Sequence, residues 1–211
     1  MLKDLYDNFY IKKNLASYIL GLGFIFLTIG LVRTPYTFIL YIELLATILG
    51  SCALEAASDQ DEKVNFDKLQ ITFPVTKSEI VIAKYLLALI FLAASNLLSL
   101  VFTLLHVYAW HTAAFVEGVQ IWCTGICISV TFTAVIYVLF FLFGKKAATI
   151  LYVIIAVLIS LIYGTSAVIF GVENFIALDK TLILCIAIPA SFLLFAASCL
   201  LSVRIYRKKH F

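Results

Sequence analysis

Hydrophobic positions in this chain come in long unbroken runs, not in alternation. Uncharged apolar runs of about 18 or more residues can cross the hydrocarbon core of a bilayer as helices. Six stretches qualify as candidates: 15–32, 36–54, 81–105, 119–143, 147–170 and 181–203. The second contains Glu43, and the third is long enough to tilt or to extend beyond the membrane. Ahead of them, Leu2, Leu5, Tyr6, Phe9 and Tyr10 recur at helical spacing, while Lys3, Asp4, Asp7 and Asn8 fall on the opposite side. That pattern predicts an amphipathic helix within 1–14 lying in the headgroup layer. An unstructured tail is the plainer alternative.

The expected fold class is therefore an all-α integral membrane protein with six transmembrane helices. A single transmembrane domain spans 1–211, with spans one and two in 15–54, a cytoplasmic segment at 55–80, spans three to six in 81–203 and a cytoplasmic tail at 204–211. Composition agrees: 64% of residues are hydrophobic and 13% charged, against about a quarter charged in soluble domains. Of the 15 basic residues, all but Arg33 and Lys180 fall before span one, between spans two and three, between four and five, or after six. Positive charge is retained on the cytoplasmic side, so both termini and the charged island at 58–85 are expected there. The basic residues flank spans and form no patch with interleaved aromatics, so a net charge of +3 gives no support for nucleic-acid binding.

Special chemistry is sparse. Cys52, Cys123, Cys127, Cys185 and Cys199 all fall in predicted spans, where they read as small buried hydrophobes and not as a metal site. Residues 1–32 resemble a signal peptide only superficially, because the apolar run is long and lacks an A-x-A-like cleavage site at its end. Pro189 interrupts span six and removes the partner of the Cys185 carbonyl, which predicts a kink. His106, Tyr108, Trp110, His111 and Phe115 lie in the outer connection 106–118 and suit an interfacial aromatic belt.

Two polar residues stand inside predicted spans. A charge at the bilayer centre costs about 2.5–3.5 kcal/mol, which makes Glu43 a candidate for the substrate path or for a latch towards Arg33. The plainer reading is a protonated or snorkelling carboxylate bonded to a neighbouring helix. Asn96 in span three reads as interhelical glue, or as a polar point on the substrate path.

The island carries local instructions. Thr76-Lys77-Ser78-Glu79 fits a capping box, with Val75 and Ile80 at the staple positions and Pro74 discouraging helix through Phe73. A helix is predicted to begin near Lys77 and run into span three. Upstream, Asp59 and Glu62 fit a second cap, for a short helix of about 60–69 that presents Phe66 and Leu69.

Asp61-Glu62-Lys63, Phe66, Lys68, Phe73-Pro74-Val75-Thr76-Lys77, Val81 and Lys84-Tyr85 together resemble the cytoplasmic signature of the ABC-2 type permeases. These are the membrane subunits of a class of bacterial ABC exporters. Phe66 stands where the relatives usually have Trp, and Phe73 where they often have Leu. The resemblance implies a coupling helix between spans two and three that docks on a separate ATPase. Asp61, Glu62, Lys63, Phe66, Asp67, Lys68, Phe73 and Pro74 would form that docking segment. It implies a second permease copy or a paired permease, location in the bacterial cytoplasmic membrane among its lipids, and export of an amphipathic or hydrophobic substrate such as a peptide, lipid-like molecule or drug. The chain has no G-x-x-x-x-G-K-[ST] loop, so ATP and Mg would be bound by the partner subunit, with no cofactor and no hydrolysis in this chain. Two other functions fit the same sequence: a proton-coupled secondary transporter using Glu43, and a non-transporting scaffold or immunity protein.

Overall fold

The computed structural model describes residues 2–31, 34, 37–39, 42, 47, 75–171 and 180–209. Among them the backbone forms helices and connections but no strand. In chain order the helices are α1 (Leu2–Phe9), α2 (Lys12–Leu31), α3 (Lys77–Leu104), α4 (Phe115–Phe143), α5 (Lys145–Phe170) and α6 (Thr181–Lys209). A π-helical turn, Leu105–Ala109, extends α3. Within the predicted second span, residues 37–39, 42 and 47 are helical.

Among the described residues, three helical stretches are long and apolar enough to cross a membrane: Lys77–Ala109, Phe115–Phe143 and Thr181–Lys208. Each is longer than its predicted span. Lys77–Ala109 gains a turn at its start because Thr76 caps the helix ahead of the apolar run, and gains another at its end through the π turn. The connection expected at 106–118 shrinks to 110–114. Pro189 lies inside α6, which runs through it as one helix.

Helix α4 is the central element, packed along α3, α5 and α6. Its buried positions Val130, Ala134, Tyr137 and Phe141 recur every three or four residues and meet Val81, Tyr85, Ala88 and Leu92 of α3 in the same rhythm, with Phe195 of α6 closing the cluster. Small residues between the rings let side-chain ridges interdigitate. Tyr85 sits in the middle, edge-on to Tyr137 at 5.0 Å and to Phe195 at 5.2 Å. Opposite faces carry exposed hydrocarbon, such as Ile186, Leu193 and Leu200 at seven-residue spacing on α6. In a bilayer that arrangement carries no penalty, because lipid tails are as apolar as leucine.

Two joints fix the path of the chain. Gly144 alone separates α4 from α5, with φ 83° and ψ 175°, a region that only glycine enters readily. Gly125 lets the second predicted span approach α4: a Cβ there would stand 3.2 Å from the carbonyl oxygen of Ile42. Phe38, Ile39 and Ile42 pack at this seam against Ile121.

Helix α1 keeps its predicted two faces but ends at Phe9, and residues 12–14 already belong to α2. Its polar side is the buried one. Asp4 and Asn8 are turned inward, while Tyr6, Phe9 and Tyr10 are exposed. Asn8 donates to the carbonyl of Asp4 (2.7 Å) and accepts from the Tyr18 hydroxyl of α2 (2.7 Å). The Phe9 ring stacks on Phe91 of α3 at 5.5 Å.

Candidate functional site

The predicted docking residues Asp61, Glu62, Lys63, Phe66, Asp67, Lys68, Phe73 and Pro74, and Glu43 in the second span, lie outside the described residues. Where the described chain resumes, the predicted capping box is present. The Glu79 amide donates to Thr76 Oγ1 (3.4 Å), and Glu79 Oε2 accepts from the Thr76 amide (2.7 Å) and hydroxyl (2.8 Å). Two otherwise unsatisfied helix-end groups are thereby paired, which fixes where α3 begins.

That start is tied to the end of α6. The Arg207 guanidinium donates through Nε (3.1 Å) and Nη2 (2.7 Å) to Ser78 Oγ. Two turns further along α3, the Tyr85 hydroxyl lies 2.8 Å from Ser202 Oγ and 3.2 Å from Ser198 Oγ. Ser198 gives its proton to the Phe195 carbonyl at 2.7 Å, so towards Tyr85 its oxygen can only accept. Beside this node the Tyr137 hydroxyl is buried, with no hydrogen-bond partner among the described residues. Lys84, also buried, holds its ammonium 5.9 Å from the centre of the Phe140 ring, a cation–π distance.

At mid-helix, Asn96 bridges α3 and α4. Its Nδ2 donates to the Leu92 carbonyl (2.8 Å) and more weakly to Ser129 Oγ (3.4 Å), and its own carbonyl accepts from Trp122 Nε1 (2.9 Å). Oδ1 is buried without a hydrogen-bond partner among the described residues. Around it the hydroxyls of Ser95, Ser99, Thr103, Ser129 and Thr133 each donate to a carbonyl of their own helix.

The expected aromatic belt is corrected at one residue. Tyr108 and Phe115 are exposed and 6.3 Å apart, but His106 is buried, held between Phe38 and Trp110 at ring distances of 4.7 Å. It continues the inward row of Ser99, Phe102 and Thr103, carried one turn further by the π segment. The Thr112 hydroxyl donates to the His106 carbonyl (3.1 Å), so Nδ1 carries the ring proton and donates to Thr112 Oγ1 (3.0 Å). Nε2 is left as a buried lone pair with no partner among the described residues. The spacing 99, 102, 103, 106 was the signal in the sequence; its histidine obscured it.

The ties from α3 to α4 and α6 are hydrogen bonds between neutral groups, save the charged Arg207–Ser78 contact. Such bonds hold helices in register and can exchange partners when the helices shift. No curated protein and no solved structure matches the chain. Residues 1–207, which take in the described helices up to the last two residues of α6, match the family described as ABC-2 family transporter protein, and the chain therefore belongs to the ABC-2 transporter family.

Proposed function

We propose that the chain is the membrane-spanning permease subunit of an ATP-driven exporter that moves an amphipathic or hydrophobic substrate, powered by a separate cytoplasmic ATPase. The observation that carries this reading is the family match over 1–207 on a bundle of long apolar helices. The absence of a phosphate-binding loop in the sequence supports an ATPase on another polypeptide. On this reading six spans cross the bacterial cytoplasmic membrane with both termini inside. Helix α1 lies at the membrane surface, and two permeases pair to complete the transporter.

Residues 55–80 would couple the two subunits, with Asp61, Glu62, Lys63, Phe66, Asp67, Lys68, Phe73 and Pro74 as the docking face. A mixed-charge surface with one aromatic anchor suits docking, since the aromatic contributes affinity and the charges set register. Motion of that segment would enter α3 at the Thr76 cap. The Arg207–Ser78 and Tyr85–Ser202 ties would carry it to α6, so the two helices would tilt together as the ATPase dimer closes. Glu43 and Asn96 would then be polar points along or beside the route.

The test is to isolate the tagged protein from its native membrane and identify what accompanies it by mass spectrometry. A soluble P-loop ATPase in near-equal amount, released by Phe66→Ala, is the expected result. An intact membrane protein without any ATPase would remove the motor from this reading, and transport that tracks the proton gradient and fails in Glu43→Gln would replace it.

A further inference from the structure

Basic residues from three helices gather at one end of the bundle. Arg204, Arg207 and Lys208 end α6, Lys77 begins α3, and Lys146 lies in the first turn of α5. The Arg207–Ser78 bonds and the Phe141–Tyr206 ring contact at 5.8 Å bring these ends together. One acid of α3 shares this end, Glu79, and its carboxylate is turned into the Thr76 cap.

Arg207 is anchored yet not neutralised. Both of its bonds go to a single uncharged oxygen of Ser78, and among the described residues it has no carboxylate partner. A guanidinium carries five N–H donors in a planar fork, so several remain for another acceptor. Arg207 is exposed, as are Arg204 and Lys208. The next turns on the same helical faces are exposed hydrocarbon: Ile82 one turn along α3 from Ser78, and Leu200 and Leu193 two and four turns along α6 from Arg207. A preorganised cation therefore stands at the top of an apolar outer surface at the ends of membrane-length helices.

We propose that this end of the α3–α6 pair is a binding site for an anionic phospholipid, with the phosphate on Arg207 and the acyl chains along Ile82 and Leu200. The charge selects the headgroup, because a planar fork meets phosphate oxygens in pairs, and basic clusters beside membrane helices attract anionic lipid. The apolar faces select lipid over free phosphate. The tie to Ser78 supplies the orientation, since it holds a long side chain that would otherwise lose rotamer freedom on binding.

The full chain, purified in mild detergent, is offered equal amounts of phosphatidylglycerol and phosphatidylcholine, and the retained lipid is counted by native mass spectrometry. Wild type is expected to retain phosphatidylglycerol in preference, and excess inorganic phosphate is expected not to displace it. Arg207→Gln is expected to lower that retention about fivefold, which corresponds to about 1 kcal/mol for one cation at a membrane surface. Ser78→Ala, which keeps every charge, and Arg207→Lys, which loses the fork, are expected to fall between the two; they carry the test if Arg207→Gln does not fold. Equal retention of the two lipids by wild type overturns the proposal. So does unchanged phosphatidylglycerol retention in Arg207→Gln, including the case in which that variant instead sheds an acidic protein partner. Lipid retention is read on the isolated chain, so its outcome is separate from whether an ATPase accompanies it.

Discussion

The Tyr85 hydroxyl of α3 and Ser202 Oγ of α6 lie 2.8 Å apart, beside a cluster built mainly of aromatic and aliphatic side chains. Tyr85→Phe keeps the ring contacts with Tyr137 and Phe195 and removes only the polar tie. Interhelical hydrogen bonds in membranes contribute about 0.6 kcal/mol on average and up to about 1.7. The expected loss of stability is of that size, because Ser198 keeps its bond to the Phe195 carbonyl. Tyr85→Ala, which empties the cluster, is expected to cost about 3–5 kcal/mol. Equilibrium unfolding of both variants checks the order, and equal losses would contradict it.

Gly118 and Val107 form a close pair. A Cβ on Gly118 would lie 2.8 Å from Val107 Cγ2 and 3.3 Å from Thr103 Cγ2. Gly118→Ala is therefore expected to destabilise by about 1–3 kcal/mol through overpacking, although alanine alone favours helix. Val107→Ala removes the obstructing methyl. The double variant is expected to be more stable than the sum of the single losses by at least about 1 kcal/mol. Strict additivity would show that the contact relaxes without cost.

Thr76→Ala removes the side-chain cap of α3 and is expected to cost about 1 kcal/mol, with Thr76→Ser close to wild type. The effect is local. Amide hydrogen exchange is expected to quicken at Lys77–Ile80 and to stay unchanged beyond Tyr85. Exchange that quickens along the whole of α3 would mean the cap governs more than the first turn.

The His106 side chain gives a result opposite to the usual one for a buried polar group. Thr112→Val leaves Nδ1–H without an acceptor beside an Nε2 that already has no partner. It is expected to cost about 1–3 kcal/mol. His106→Phe removes both ring nitrogens together and keeps the ring between Phe38 and Trp110, so its cost is expected below about 1 kcal/mol. Nitrogen NMR of the wild-type imidazole is expected to report a protonated Nδ1 and a bare Nε2. A proton found on Nε2 would overturn the assignment.

What the sequence disclosed was local and what it concealed was directional. The capping box at Thr76 could be read residue by residue, since its partners are three positions apart and need nothing from the rest of the chain. The existence of α2, α5 and the three long apolar helices followed from run length alone. Facing did not follow. In water an amphipathic helix buries its apolar side, but here Asp4 and Asn8 of α1 are buried while Tyr6 and Tyr10 face outward. In spans that are apolar all round, composition does not separate the lipid side from the core side, which is why the Tyr85–Ser202 tie, separated by 117 residues, had no signature. His106 was misplaced for a related reason. A histidine near a span end reads as interfacial, although its place in the row 99, 102, 103, 106 puts it on the buried face. The proposed docking residues and Glu43 rest on the sequence and the family, with their geometry outside the described residues.

The single-residue joint at Gly144 has a mechanical meaning. Phe132 of α4 and Tyr152 of α5 touch edge to face at 5.4 Å on either side of it, so the two helices fold back on one another as a hairpin with no slack at its apex. A longer loop would absorb a displacement of one arm by uncoiling; this one has nothing to uncoil. A tilt of α4 is therefore handed to α5 through one residue and the ring contact beside it, with no loop between them to take it up.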